Sequence, residues 1–174
     1  MKTITTPLAS CMPLGVVGLM LLAGCANYHL GSTVPPEMRT VAVPVFANTS
    51  GQPEAEVLTT QAVLSEFRRD GTLKVVDRED AALEIVGRLV SCVLKPMRHD
   101  RDQPYLYVEY RMVLTAKVQV IERATGKVVA DLGAVTGDDI FRTQSDLPST
   151  KRDALPRAAA KLARNIVRDT LGAW

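Results

Sequence analysis

The sequence predicts an α+β two-layer sandwich: a mixed, mostly antiparallel sheet of four to five strands with two helices packed on one face. Three observations predict it. Residues 105–122, YLYVEYRMVLTAKVQVIE, alternate apolar and polar over their whole length. Two other segments, near 53–70 and 153–171, repeat apolar residues at helical spacing. The order along the chain is strand, helix, four strands, helix, with the central strands linked by short turns. Two amphipathic helices must each bury one face, and one side of a sheet buries both.

The elements follow in order. RTVAVPVF (39–46) is β-branched and apolar, with Pro44 marking an edge or a strand end. ANTSGQP is a turn cluster. Pro53 suits a first helical position, and Glu54 and Glu56 complement a helix N-terminus. Leu58 and Ala62, Val63 and Phe67, and Val57 and Leu64 recur at helical spacing. Arg68 and Arg69 fill the last turn and Gly71 stops it. TLKVVD (72–77) is a short strand and REDA a turn. ALEIVGRLVSCVLKPM (82–97) is a longer strand, with Leu83, Ile85, Leu89 and Val93 expected on one side. RHDRDQP (98–104) is a charged loop.

In the alternating strand, Leu106, Val108, Tyr110, Met112, Leu114, Ala116, Val118 and Val120 form a dry face. Tyr107, Glu109, Arg111, Thr115, Lys117 and Gln119 form a wet one. At about 3.3 Å per residue such a strand exceeds 50 Å, so it is expected to bend or to project past the core. RATGK closes a hairpin, with Gly126 where positive φ is needed. VVADLGAVTGDDIF (128–141) returns, weakened by Gly133 and Gly137. RTQSDLPSTKRD reads as a polar loop. A last helix is expected from Asp153, with Pro156 in its first turn and Leu155, Ala159, Leu162 and Ile166 as its stripe.

Ahead of the domain, Lys2 precedes an uncharged run from Cys11 to Gly24, too short for a spanning helix of about 20 residues. A positive start, a short apolar run and a small-residue exit make a secretory signal peptide. Leu22, Ala23, Gly24 and Cys25 resemble the lipobox of bacterial lipoproteins. That resemblance implies acylation of the Cys25 thiol and cleavage between Gly24 and Cys25. Each buried CH₂ contributes about 0.8 kcal/mol, and two or three chains on one cysteine anchor a protein durably. Ala26 in second place, rather than Asp, favours the outer membrane by resemblance to lipoprotein sorting signals. The expected layout is a signal peptide over 1–24, a lipidated tether over 25–38 and one domain over 39–174. The linker within it, about a dozen residues at no more than about 3.5 Å each, reaches some 40 Å.

Composition narrows the function. The chain holds 21 Lys and Arg against 19 Asp and Glu, which argues against a general nucleic-acid binder. With Cys11 removed and Cys25 acylated, Cys92 is expected to stand alone, packed as a small apolar residue. His29 and His99 have no neighbour at metal spacing, and neither a nucleophile elbow nor a phosphate-cradling glycine loop occurs. Asp138 and Asp139 would point to opposite faces of a strand, which makes a poor catalytic pair. No enzyme, metal or cofactor is expected. Lys95, Arg98 and Arg101 form the one local basic cluster and are candidates for phosphate contact, although Asp100 and Asp102 interleave with them. Arg111 and Lys117 meet either water or the polar lumen of a membrane barrel.

Several stretches are similar to one family. YHLG soon after the cysteine, VAVPVFANTS, EVLTTQAVLSEFRRDGTLKVVDREDAALEIVGRLVSCVLKP, VEYRMVLTAKVQVIERATGKVV and the final helix ending at Trp174 resemble the lipopolysaccharide-assembly lipoproteins, LptE. The resemblance spans nearly the whole domain. It implies a non-enzymatic lipoprotein of the outer membrane, facing the periplasm, that acts as plug and assembly partner inside a β-barrel translocon of the LptD kind. It also implies lipopolysaccharide as a partner. A valine-rich first strand occurs as well in periplasmic lipoproteins that regulate a cell-wall synthase or a secretion pore. That is the alternative reading, and the short tether disfavours it.

Overall fold

A computed structural model describes residues 34–143 and 146–174. Gly24, Cys25 and the other expected features of the first 33 residues lie outside them. The elements are β1 (Thr40–Ala42), β2 (Ala47–Asn48), α1 (Ala55–Asp70), β3 (Lys74–Val75), β4 (Leu83–His99), β5 (Tyr107–Glu122), β6 (Val128–Arg142) and α2 (Leu147–Gly172). Single 3₁₀ turns cover Pro36–Met38 and Arg78–Asp80.

The expected α+β sandwich is what forms, with a six-stranded mixed sheet because β2 adds a two-residue strand to the five expected. The order is β3-β1-β4-β5-β6, and β2 continues β1 along the same side of β4. β1 is parallel to β3 and β4, and β2 is parallel to β4. β4, β5 and β6 form an antiparallel meander. Of the strand expected over 39–46 only Thr40–Ala42 forms, ending short of Pro44, which cannot donate to the ladder, and β2 falls in the stretch expected to be a turn.

α1 and α2 pack side by side on one face. Its core holds Val41, Phe46, Val63, Phe67, Leu83, Ile85, Leu89, Met112, Leu114, Val118, Leu162 and Ile166. Val34, in the stretch before β1, is only 2% exposed and belongs to this core. The even positions of β5 from Met112 to Val120 are buried, as the alternation requires. Val57, by contrast, lies on the exposed side of α1.

Three expectations change. α1 begins at Ala55, not Pro53, because Glu54 takes a left-handed φ of 64° that belongs to the preceding turn. Its end is as expected: Gly71, at φ 76°, donates its N–H to the Phe67 carbonyl at 3.0 Å. In β4 the register shifts between Leu89 and Ser91. That bulge reverses the parity of the strand. Cys92 and Leu94 therefore turn towards the core, and Val93, expected beside Leu89, is exposed.

The third change is at α2, which begins at Leu147 rather than near Asp153. Asp146 is its N-cap, Pro148 occupies the first turn, and the Thr150 hydroxyl donates to the Asp146 carbonyl at 2.7 Å. Pro156 therefore lies inside the helix and removes a backbone donor there. Arg157 Nη1 donates to the Asp153 carbonyl at 2.9 Å and satisfies one acceptor next to that gap.

Gly137 in β6 decides how closely α2 can approach. A Cβ there would lie 2.2 Å from the Leu162 nitrogen and 2.5 Å from the Ala158 oxygen. Side chains of α2 also lock the β6 edge. Asn165 Nδ2 donates to the Thr136 carbonyl at 2.7 Å, and Arg157 Nε meets Asp139 Oδ2 at 2.9 Å. Capping an edge carbonyl in this way blunts a strand that would otherwise accept another chain.

Candidate functional site

Both helices cover one face of the sheet, so the other face of β4, β5 and β6 is left without a layer. Side chains alternate across a pleated strand, and register places them in rows. From the hairpin base upward the uncovered face reads Val86–Gln119–Asp131, then Ala47–Arg88–Lys117–Ala134, then Ser91–Thr115–Thr136. It continues as Val93–Val113–Asp138, Lys95–Arg111–Ile140 and Arg98–Glu109–Arg142. Six cations and three carboxylates thus share one side of a ribbon roughly 50 Å long, at about 3.3 Å per residue.

These rows place the five basic residues singled out in the sequence. Lys95, Arg98, Arg111 and Lys117 all lie on the uncovered face, and Arg101 lies in the loop beyond it. They do not converge on one pocket. Arg98 is committed: its Nη2 meets Glu109 Oε2 at 3.3 Å, and Arg142 Nε meets the same oxygen at 3.3 Å. Arg111 Nε lies 3.7 Å from Asp138 Oδ2, and Lys161 of α2 reaches around the edge to the other oxygen of that carboxylate. Lys95, Arg101 and Lys117 make no ion pair among the described residues and are exposed. Arg88 joins them there. It does not stand out in the sequence, where the apolar positions of β4 dominate the pattern. Its signal was the polar place it holds between Gly87 and Leu89, both buried.

The Lys161 hydrogen bond, with the charges of Lys161 and Arg111, holds the Asp138 carboxyl below the usual carboxylate range, against a smaller opposing effect of burial. The folded state thus binds a proton at Asp138 less readily than the unfolded chain does. Its contribution is present above the unfolded value, near pH 4, and is lost as pH falls through the folded one. Asp138→Asn is expected to flatten the acid limb of a Tm-against-pH profile below about pH 4 while leaving its slope near neutrality unchanged. An identical acid limb in the variant counts against the pairing.

The far end of the ribbon is apolar as well as basic. Tyr105 is 76% exposed, and Met97, Leu106 and Tyr107 are also exposed. Behind them runs an aromatic series: His99 to Tyr107 at 4.1 Å, Tyr107 to Tyr110 at 6.2 Å and Tyr110 to Phe141 at 6.1 Å between ring centres. His99 is thus engaged in packing, while His29 lies outside the described residues. Cys92 is half-buried with its thiol pKa pushed up by burial, which makes it a poor nucleophile. Among the described residues no three His, Cys, Asp or Glu gather as metal ligands, and no helix is long and apolar enough to cross a membrane.

The family model for LptE, lipopolysaccharide assembly, matches residues 38–170. Among solved structures the chain is similar to a hypothetical protein from Chlamydia trachomatis, with 10% identity and a TM-score of 0.52 over 77% of this chain and 96% of that one. It is similar to a protein from Xanthomonas campestris, with 12% identity and a TM-score of 0.51 over 80% and 90% of the two chains. A minor lipoprotein from Acinetobacter baumannii, 14% identical, gives a TM-score of 0.50 over 78% and 94%. At these identities the likeness is one of fold alone. No curated protein matches the chain.

Proposed function

Because the chain belongs to the LptE family of lipopolysaccharide-assembly proteins, we propose that it is a non-enzymatic outer-membrane lipoprotein, plugging and helping to assemble a β-barrel translocon that delivers lipopolysaccharide to the cell surface. Residues 1–24 are the signal peptide, Cys25 carries the lipid on the periplasmic side, and 25–38 link it to a single domain over 39–174. The barrel partner is of the LptD kind.

The observation that carries the reading is the uncovered, predominantly polar face of the β4–β6 ribbon. A barrel lumen is hydrophilic, and a plug that fills it needs a stiff body with a wet, charged wall. Two helices stiffen one side of this sheet, and ion pairs at Glu109 and Asp138 hold the strands of the other. Arg111 and Lys117 are the barrel-facing candidates. Lys95, Arg98 and Arg101, beside the exposed Tyr105 and Leu106, are candidates for lipopolysaccharide phosphates, with acyl chains against the apolar tip. Arg98 must leave or share Glu109 to do so, which puts more weight on Lys95 and Arg101.

Depletion of the protein tests this. Surface lipopolysaccharide is expected to fall, precursor to accumulate in the periplasm, and the barrel to remain in its unassembled form. Unchanged surface lipopolysaccharide with a normally folded barrel would overturn the assignment.

A further inference from the structure

We propose that Arg88 and Lys117 together form a binding site for a phosphate monoester on the uncovered face, apart from the basic residues at the ribbon's tip. The two are directly opposite in the β4–β5 register, where Cβ atoms of facing residues lie about 5 Å apart. Like charges in that position destabilise a sheet. The same face relieves all but one of its other cations, the exception being Lys95 opposite Arg111. Glu109 sits between Arg98 and Arg142, and Asp138 serves Arg111. The row Ala47–Arg88–Lys117–Ala134 contains no acid. Neither Arg88 nor Lys117 has an ion pair or side-chain hydrogen bond among the described residues.

The flanking alanines leave room. A shallow concavity of about 690 Å³ lies over this row, with Thr49, Val86, Gln119 and Asp131 around it. Asp131, the one acid in reach, accepts from Gln119 Nε2 at 3.0 Å and from the Gly133 N–H at 2.9 Å; both donors are neutral, so it keeps its charge and offsets part of that of Lys117, while Arg88 has no carboxylate partner among the described residues. Two adjacent positive charges match a dianion rather than a single carboxylate. A phosphate monoester carries between about −1.5 and −2 at neutral pH. Arginine grips its oxygens as a fork and lysine as a point charge. The inference stands on register and charge alone and holds whether or not the chain fills a barrel.

The test is calorimetric titration of the purified full-length protein with inorganic phosphate and, separately, with dihexanoyl phosphatidic acid, whose headgroup is a phosphate monoester. Arg88→Gln and Lys117→Gln are each expected to weaken binding about tenfold or more, while Arg164→Gln, on α2, leaves it unchanged. Tighter binding of the phosphatidic acid makes the occupant a lipid headgroup; equal affinity makes it a free phosphate. Lys117→Glu supplies the discriminating variant. In phosphate-free buffer its carboxylate pairs with Arg88, and the variant is expected to keep the wild-type circular-dichroism spectrum while abolishing binding. Absence of binding by the wild type, or binding that survives Lys117→Glu, overturns the proposal. Because no barrel or cell enters the experiment, its failure leaves the depletion result, and the proposed function, standing or falling separately.

Discussion

Gly137→Ala is expected to destabilise the domain by about 3 kcal/mol, at the upper end of overpacking costs, and to lower Tm by roughly 10 °C. The added methyl would sit 2.2 Å from the Leu162 nitrogen and 2.5 Å from the Ala158 oxygen. Both are backbone atoms of α2, so no rotamer change relieves the clash and the helix must lift from β6. Lifting it also breaks the Asn165 bond to Thr136 and the Arg157 pair with Asp139. The edge carbonyl is then uncovered, and self-association on heating is expected to accompany the loss. Gly172→Ala is the control, since nothing lies within 4 Å of a Cβ there, and its Tm should move by no more than about 2 °C. A thermal melt followed by circular dichroism reads both. Equal melting of Gly137→Ala and the wild type would refute the close seat of α2 on β6.

Phe46→Ala is expected to cost about 3–5 kcal/mol, the range for emptying a buried aromatic position. The ring is 2% exposed and lies over Gly87 of β4, close enough that a Cβ on Gly87 would fall 2.2 Å from its Cε2. It also fixes the seam between β2 and α1. The Phe46 N–H donates to Thr60 Oγ1 at 3.1 Å, and that hydroxyl donates on to the Glu56 carbonyl at 2.7 Å. Gly87→Ala alone displaces the ring and is expected to cost about 1–3 kcal/mol. In the Phe46→Ala background the added methyl enters the vacated space, so the double variant should be more stable than the sum of the two losses by about 1 kcal/mol or more. Urea denaturation of the four proteins in the cycle measures this. Strict additivity would mean that the ring and the glycine do not share their space.

How far the sequence reads through to the structure depends on how locally each feature is determined. β5 is legible almost residue by residue because a half-buried antiparallel strand writes its two environments as alternation. Gly71 and Gly126 are legible because positive φ selects glycine, and both take it, at 76° and 70°. The start of α2 is not legible. Pro148 and Pro156 both suit a first helical turn, and only the packing of Leu147 against the core extends the helix back to that residue. The bulge after Leu89 is not legible either, since nothing in LVSCVL marks the extra residue. It changes which of Cys92 and Val93 faces the core.

The candidate site divides in the same way. Lys95, Arg98, Arg101, Arg111 and Lys117 stand out by type and by their place in the pattern, and four of them do lie on the uncovered face. Arg88 is not legible, because facing pairs are made by strand register, which depends on where β4 and β5 meet and not on either strand alone.

By itself, then, the chain of amino acids determined the class of fold, the two faces of its longest strand, the turn glycines and the family to which it belongs. The first three follow from periodicity, local backbone preference and side-chain type, and the family from the resemblance of whole stretches. Only the tertiary structure decided that two cations confront each other at Arg88 and Lys117, that Glu109 and Asp138 are committed to their arginines, and that Gly137 is the seat of a helix. Those are relations between residues from 11 to 33 apart along the chain, and such distances are set by register and packing.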